Sequence, residues 1–241
     1  MIEIDKIITF GKMDWDTDYF GLKCAKAVLH NSLSQEEWGY LEERFKDYQF
    51  ISIVNENSNP KNAQLIGRKT SAFLADTNIQ FSKKIAGIDN LDLNVVIHKG
   101  LTENKEILEM ADFQYSKFIE DPELFKRGGS NVYSQWLSNS FDNTEKIFAL
   151  HKDETNKING FVMFSCSSYK SLIELIAVKK DVKSNGIGAR LFKAVEFYSL
   201  QNHCNEIIVG TQLRNISAIN FYNKMGCKQT ECHQIYHLWN L

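Results

Sequence analysis

The segment from residue 172 to residue 200, LIELIAVKKDVKSNGIGARLFKAVEFYSL, restricts the fold of this chain more than any other stretch. Its apolar, β-branched start (172–178) predicts a buried strand, and its end predicts an amphipathic helix that begins near Ile187. A helix that starts directly after a loop presents unpaired N–H groups and the positive end of its dipole. The segment therefore predicts a phosphate-binding site at the start of that helix.

The loop itself, 183–188, carries two glycines, Gly186 and Gly188, at which no Cβ would keep a phosphate from the backbone. No Gly-Lys-Ser/Thr follows them, so the loop is not a P-loop, and the third glycine of the dinucleotide fingerprint is absent. The glycine pattern alone is also compatible with an ordinary turn before a helix.

A second motif follows the strand-like run 206–211, and it extends from Asn215 to Cys227. In this stretch Ala218, Phe221 and Tyr222 share one face of a predicted helix that ends near Gly226. Taken alone, the stretch is also compatible with a plain amphipathic helix that ends in a glycine cap.

Together the two motifs, about thirty residues apart, resemble those of the GNAT acyltransferase superfamily. The first resembles the acyl-CoA loop Arg/Gln-x-x-Gly-x-Gly/Ala, with Lys183 at the Arg/Gln position, and the second resembles Asn-x-x-Ala-x-x-Phe-Tyr-x-x-x-Gly-Phe, with Cys227 as the last residue. The stretches 15–21, 133–139 and 211–212 are similar to dTDP-fucosamine acetyltransferases. Those GNAT enzymes acetylate the 4-amino group of dTDP-4-amino-4,6-dideoxygalactose for surface polysaccharides such as lipopolysaccharide.

The resemblance implies an α/β fold with a mixed sheet and an N-terminal β-α-β-type extra domain. We expect an N-terminal α/β domain at 1–92, substrate-side or half-GNAT-like, and a GNAT acetyltransferase domain at 93–241. The local pattern further predicts a loop at 14–21, a helix over 102–118 and a loop over 120–130.

The resemblance also implies acetyl-CoA as the acyl donor, with direct transfer to the amine. The backbone of 176–178 would pair with the pantetheine arm and polarise the thioester, while 183–188 would hold the pyrophosphate. The expected acetyl-CoA-binding residues are Ile176, Ala177, Val178, Lys183, Ser184, Asn185, Gly186, Ile187, Gly188 and Asn215. Asn215 is also suited to capping the following helix.

Tyr222 occupies the general-acid position of the family and would assist the departing thiolate; the alternative is a core aromatic. Glu174 is the first candidate for the base, with an amine anchor or a solvated side chain as alternatives, and His233 and His237 are weaker candidates. The expected substrate-binding residues are Trp15, Tyr19, Phe20 and Gln212. The three aromatics could stack on thymine or belong to the core.

Composition limits the partners. With 241 residues and a net charge of −2, the chain gives no reason to expect binding to nucleic acid or membrane, and no apolar run approaches a membrane span. Five scattered cysteines predict reduced thiols in the cytoplasm, and six histidines without HxxxH or HxH spacing predict no metal site. The expected partners are acetyl-CoA and a nucleotide-linked amino sugar, and a homodimer stays open.

Two other functions remain open at this point. A GNAT enzyme could act on another amine, such as a protein N-terminus, a polyamine or an antibiotic. The chain could also be an acyl-CoA-binding module without activity, which the presence of Tyr222 disfavours.

Overall fold

A computed structural model describes residues 6–87, 90–182 and 185–240. In these residues the strands are β1 (Ile8–Lys12), β2 (Cys24–Leu29), β3 (Phe50–Asn55), β4 (Phe73–Lys84), β5 (Val95–Lys99), β6 (Ile147–Lys152), β7 (Ile158–Ser167), β8 (Lys170–Val178), β9 (Glu206–Gln212) and β10 (Lys228–Trp239). The α-helices are α1 (Asp14–Phe20), α2 (Gln35–Phe45), α3 (Pro60–Lys69), α4 (Lys105–Glu109), α5 (Lys117–Glu120), α6 (Pro122–Lys126), α7 (Val132–Ser140), α8 (Ile187–Gln201) and α9 (Ile216–Lys224).

All ten strands belong to one mixed sheet, in the order β1-β2-β3-β10-β4-β9-β8-β7-β6-β5. The neighbours β2 and β3 run parallel, as do β8 and β9, and the other pairs are antiparallel. Strand β4 lies between β9 and β10, and β10 also pairs with β3. The two units expected from the sequence therefore share one sheet, and the boundary at residue 92 stays a prediction.

Helices cover both sides of the sheet, and we call the side covered by α2, α3, α8 and α9 the front face. There Leu191 and Phe192 of α8 pack with Phe81 and Val209 of the strands. The other side, covered by α1 and by α4 to α7, is the back face, where Leu137 packs with strand side chains such as Phe148. Apolar side chains on both faces of the central strands explain why 172–178 reads as a continuous apolar run.

The prediction of a loop at 14–21 is wrong, because Asp14 to Phe20 form α1. Asp14 and Asp16 lie in the first turn, where negative side chains stabilise a helix by interacting with the positive end of its dipole. Gly21 ends the helix in a left-handed conformation with φ of 65°, and its N–H donates to the carbonyl of Thr17. Aspartates that suggest a turn therefore belong to a short capped helix.

The single helix predicted over 102–118 is also wrong, because α4 ends at Glu109 and α5 begins at Lys117. The side chain of Ser116 accepts a hydrogen bond from the N–H of Phe118 (3.2 Å) and so starts the second helix. The predicted loop over 120–130 likewise contains α6, which Asp121 caps before Pro122. Elsewhere the sequence of 146–152 and 157–166 predicts a hairpin around 153–156, and the structure confirms it as β6 and β7.

Candidate active site

The strands β8 and β9 pair over only part of their length. Their parallel ladder joins 170–173 to 206–209, but β8 continues to Val178 and β9 to Gln212. Beyond Ile173 the two strands separate, while β8 keeps its pairing with β7 on its other side. The edge of β8 that faces the gap therefore has backbone N–H and C=O groups available to a further extended segment.

A β-bulge marks the point of separation. Met163 pairs with Leu175 and Phe164 pairs with Ile173, so Glu174 is the extra residue on β8. The Glu174 side chain is 4% exposed, and both of its oxygens accept hydrogen bonds from the Lys146 ammonium (2.7 and 2.6 Å). Glu174 does not line the cleft described next. Its role as a base stays a prediction, and the structure gives its carboxylate a partner that competes with that role.

A cleft of 840 Å³ opens where β8 and β9 separate. It is bounded by the end of β8, the start of α8, the helix α9 and the segment 109–113. Among the expected acetyl-CoA-binding residues, those that line it are Ile176, Ala177, Val178, Gly186, Ile187, Gly188 and Asn215. Asn185 is exposed beside these residues but is not part of the lining, and Lys183 and Ser184 lie outside the described residues.

The start of α8 has the properties of an anion-binding helix end. No side chain caps this 15-residue helix, and its first turn carries no acidic residue. Gly186 precedes it with φ of 75°, and among the described residues no atom beyond its chain neighbours lies within 4 Å of the position that a Cβ would take there. The unpaired N–H groups of the first turn therefore border open space in the cleft, where Lys180 and Lys224 also line the wall.

Gly188 has a packing role that the motif did not indicate. A Cβ at this position would lie 3.2 Å from Cε2 of Phe221, which is closer than ordinary van der Waals contact. The absent side chain thus lets α8 approach α9 closely, next to Tyr222. A substitution at Gly188 would move the cleft wall as well as narrow the loop.

Asn215 is the N-cap of helix α9. Its side chain accepts a hydrogen bond from the N–H of Ala218 (3.2 Å), so the expected cap is present. Tyr222 is 4% exposed and lines the cleft, and its ring packs near Phe81 and Phe221 with centroid distances of 5.7 and 5.3 Å. Burial raises the pKa of the Tyr222 hydroxyl, so it remains protonated near neutral pH. The ring is part of the core and also borders the cleft.

The aromatics expected to bind substrate lie on α1 at the back face, away from the lining of the cleft. Phe20 is buried, whereas Trp15 is 37% exposed and stacks on Tyr19 at 4.7 Å. The Tyr19 hydroxyl donates to the carbonyl of Gly128 (2.8 Å). Gln212 lies at the end of β9, beside the gap. Their roles toward a substrate stay predictions.

One wall of the cleft was missed at the sequence level. Met110 and Phe113 line it and also pack with the back-face cluster around Leu137, so the cleft reaches through the gap toward the back face. No motif marks these residues, and the expectation of one continuous helix over 102–118 concealed the break that places them there.

The diverging strands, the uncapped helix end and the cleft between them define an acyl-CoA-dependent N-acyltransferase fold. The profile of the acetyltransferase (GNAT) family matches residues 105–227, and the chain belongs to that family. In the described residues no group of three or more His, Cys, Asp or Glu side chains could hold a metal ion. Within the same residues, no helix has the length and hydropathy of a membrane span.

Two named proteins are similar to parts of this chain. Over 140 residues it is 24% identical to the spore coat polysaccharide biosynthesis protein SpsD of Bacillus subtilis, a match that covers 57% of this chain and 48% of that protein. Over 72 residues it is 32% identical to an uncharacterized N-acetyltransferase of Methanocaldococcus jannaschii, covering 29% of this chain and 46% of that one. The chain thus spans about half the length of the curated relatives it matches.

Solved structures share the fold over nearly the whole chain. A GCN5-related N-acetyltransferase from Sphaerobacter thermophilus superposes with a TM-score of 0.62 and 8% identity, covering 96% of this chain and 76% of that one. A tandem GNAT protein from the clavulanic acid biosynthesis pathway gives a TM-score of 0.60 and 13% identity, covering 90% and 75%. At such identities the likeness establishes the fold alone.

Proposed function

We propose that this protein transfers the acetyl group of acetyl-CoA to the 4-amino group of a dTDP-4-amino-4,6-dideoxyhexose used in surface-polysaccharide synthesis. The observation that carries the acetyl-transfer part is the gap between β8 and β9, which opens beside the uncapped start of α8. The pantetheine arm of acetyl-CoA needs a free strand edge, and its pyrophosphate needs an anion-binding helix start beside that edge.

In this proposal the pantetheine arm of acetyl-CoA adds to the free edge of β8 at 176–178, as a further strand would. A backbone N–H of that edge donates to the thioester oxygen, and the first turn of α8 holds the pyrophosphate. Gly186 supports this placement, because its missing side chain leaves the backbone open to the phosphates.

Tyr222 then lies at the thiol end of the donor. A buried phenol of raised pKa is a poor source of a full proton but a good hydrogen-bond donor to a sulfur atom that gains negative charge. The chemistry needs no nucleophile on the protein, since the amine attacks the thioester directly.

The acceptor part of the proposal rests on two observations of different kinds. The stretches 15–21, 133–139 and 211–212 are similar to the sugar-nucleotide acetyltransferases, and one relative carries a name in polysaccharide biosynthesis. A remote nucleotide would also supply binding energy that positions the amine against the thioester. The alternatives are an acetyltransferase for another amine and, less well supported, an acyl-CoA-binding module.

Acetyl-CoA binding at the start of α8 can be tested with a charge placed in its first turn. Ala189→Glu places a negative charge near the positive end of the α8 dipole, so thermal stability should be equal to that of wild type or higher. The same charge would lie close to the pyrophosphate and should weaken acetyl-CoA binding about tenfold. Ala189→Gln is the matched neutral control, and calorimetric titration with acetyl-CoA is the measurement. Equal affinity for the two variants would place the phosphates elsewhere.

The acceptor is tested by thiol release from acetyl-CoA over a panel of dTDP- and UDP-linked amino sugars, free amino sugars, polyamines and peptides. We expect turnover with a dTDP-linked 4-amino sugar and much weaker turnover with the free sugar. Turnover on peptides or polyamines, with none on any nucleotide sugar, would contradict the acceptor and leave the acetyl transfer. Binding of acetyl-CoA without turnover of any amine would favour the inactive binding module.

Two further parts of the proposal concern the setting of the enzyme. All five cysteines are free, which supports a reducing compartment such as the cytoplasm. Light scattering on the purified chain decides between a monomer and a homodimer.

A further inference from the structure

The back face of the sheet carries a row of polar side chains beside the gap between β8 and β9. On β4, Ile79 and Phe81 are buried on the front face, so the alternate residues Asp76, Asn78 and Gln80 point to the back. Gln212, at the end of β9, pairs with Asn78 and lies on the same side. Strand β9 bounds the gap and β4 is its neighbour on the other side, so the row lies one strand away from the gap and reaches its edge at Gln212.

Side chains from three back-face helices converge on this row. Burial raises the pKa of the Tyr133 hydroxyl on α7, and the nearby side chains of Ser116, Asp76 and Gln212 also act on it. The Tyr133 ring also contacts Phe113, a residue of the cleft wall, at a centroid distance of 4.9 Å. The row is thus directly continuous with the cleft.

Lys117 of α5 stands between two carboxylates without pairing with either. The charges of Asp16 on α1 and of Asp76 both act on it, yet within the described residues it forms no ion pair, and Asp76 forms none either. All three side chains are half-buried. Charged groups that are withdrawn from water normally pair, and these three lack such a pair within the described residues.

Buried polar atoms without a partner lie in the same part of the back face. Ser52 on β3 and His237 on β10 are neighbours in the sheet, 1% and 0% exposed. The Oγ of Ser52 and the Nε2 of His237 make no hydrogen bond among the described residues. Burial lowers the pKa of His237, and the positive charge of Lys117 lowers it further. Buried polar atoms normally have a hydrogen-bond partner, and these two have none within the described residues.

We propose that Asp76, Lys117, Tyr133 and Gln212 form the acceptor site, and that Asp76 binds the acceptor's ammonium group and removes its proton. This inference rests on the proposed acetyl transfer, and it places the acceptor on the face opposite Tyr222. Acetyl-CoA enters from the front face, and the amine reaches the thioester from the back.

Asp76 is better suited to this task than the other carboxylates. Glu174 is held by Lys146, and Asp16 lies on α1 rather than on β4, which pairs with the strand that bounds the gap. Burial raises the pKa of Asp76, with Lys117 acting in the opposite direction, and a carboxylate of raised pKa is a stronger base. The charged groups that face it are Lys117, Glu120 and Arg214, and Tyr133 is the nearby phenol.

The proposed step balances as follows. The ammonium group gives one proton to the Asp76 carboxylate, and the neutral amine attacks the thioester carbon, forming the C–N bond as the C–S bond breaks. A second proton passes from the nitrogen to the departing sulfur, which Tyr222 stabilises by a hydrogen bond. The products are the N-acetyl amide and CoA thiol, and Asp76 then releases its proton to water.

The test compares Asp76→Asn with wild type, using acetyl-CoA and dTDP-4-amino-4,6-dideoxygalactose between about pH 6 and pH 10. Asp76→Asn should lower kcat/KM about 100-fold near neutral pH while calorimetry shows unchanged acetyl-CoA affinity. The deficit should shrink at high pH, where the amine arrives already deprotonated. Asp76→Glu, which keeps the carboxylate, should retain more activity than Asp76→Asn. Asp14→Asn, the same change at a 79% exposed side chain of α1, is the control and should match wild type.

Three results would overturn the inference. Asp76→Asn could keep kcat/KM within threefold of wild type, or lose activity equally at every pH, as a merely structural residue would. Asp76→Glu could also prove no better than Asp76→Asn while both bind acetyl-CoA normally. If wild type turns over another amine instead, the same ratios are measured with that amine and decide in the same way. A wild-type protein that turns over no amine at all contradicts the proposed function, and the inference with it.

Discussion

The Tyr222→Phe substitution separates the packing role of this residue from its proposed chemical role. It removes one hydroxyl and keeps the ring, whose centroid lies 5.7 Å from that of Phe81 and 5.3 Å from that of Phe221. The pKa of the hydroxyl is raised by burial and by the nearby Cys227, with no hydrogen bond contributing. The free energy of unfolding should therefore change by less than about 1 kcal/mol.

The expected effect on kcat follows from the hydroxyl's hydrogen bond to the departing sulfur. Full proton transfer from a phenol of pKa ~10 to a thiolate whose acid has pKa ~8.5 already costs about 2 kcal/mol, and burial of Tyr222 increases that cost. A hydrogen bond to a charged atom contributes about 1.5–3 kcal/mol. Its loss should lower kcat by about 10- to 150-fold, with the acetyl-CoA KM little changed.

Single-turnover thiol release measures this effect without interference from product release. Tyr198→Phe on α8 is a matched control, since its ring packs on Phe164 at 5.5 Å and it does not line the cleft. A Tyr222→Phe enzyme with wild-type kcat, where chemistry is rate-limiting, would refute the proposed hydrogen bond from Tyr222 to the departing sulfur. Because the pKa of Tyr222 is raised, wild-type kcat should also not decline between about pH 7 and pH 9 through its ionisation.

Two further predictions concern the fold. Asp121→Ala should cost about 3 kcal/mol in unfolding by denaturant, because Asp121 caps α6 and accepts hydrogen bonds from His237 (2.7 Å) and Trp239 (3.0 Å). Burial alone would raise the pKa of the Asp121 carboxyl. The hydrogen bonds outweigh burial, so the net effect is a pKa below the ordinary value of an aspartate. The cost should therefore be full above about pH 4 and shrink as pH falls through the folded pKa. Glu123→Ala, at a side chain that is 33% exposed, is the control. A fragment of residues 93–241 lacks β4 and should show no cooperative thermal transition by circular dichroism; a folded fragment would support the boundary at 92.

The second half of the chain was predictable because its signals are local. A strand, a glycine loop and a helix follow one another within 172–200, and each is recognisable from its own period and cap. The residues 34–37 also predict a capping box, and the structure confirms it at Ser34 and Glu37.

Non-local pairing could not be predicted in the same way. The alternation of 70–81 indicates a strand, but nothing in it shows that β4 lies between β9 and β10, more than a hundred residues later in the chain. The starts of α5 and α6 were missed because their side-chain caps, Ser116 and Asp121, resemble turns until their hydrogen bonds are seen. Helix α1 has no side-chain cap, and its aspartates suggested a turn. The pairing of Glu174 with Lys146 is likewise a tertiary contact with no sequence signal.

The position of β4 gives the first 92 residues a direct part in the proposed reaction. The edge of β8 and the starts of α8 and α9 would bind the donor on the front face, and all of them come from the second half of the chain. Asp76 comes from β4, and it meets Gln212 of β9 only because β4 pairs with that strand. Donor affinity should therefore respond to changes at the start of α8, whereas acceptor preference should respond to changes on β4 and α5. On this proposal both motifs of the family concern the donor side alone, so neither would indicate a base.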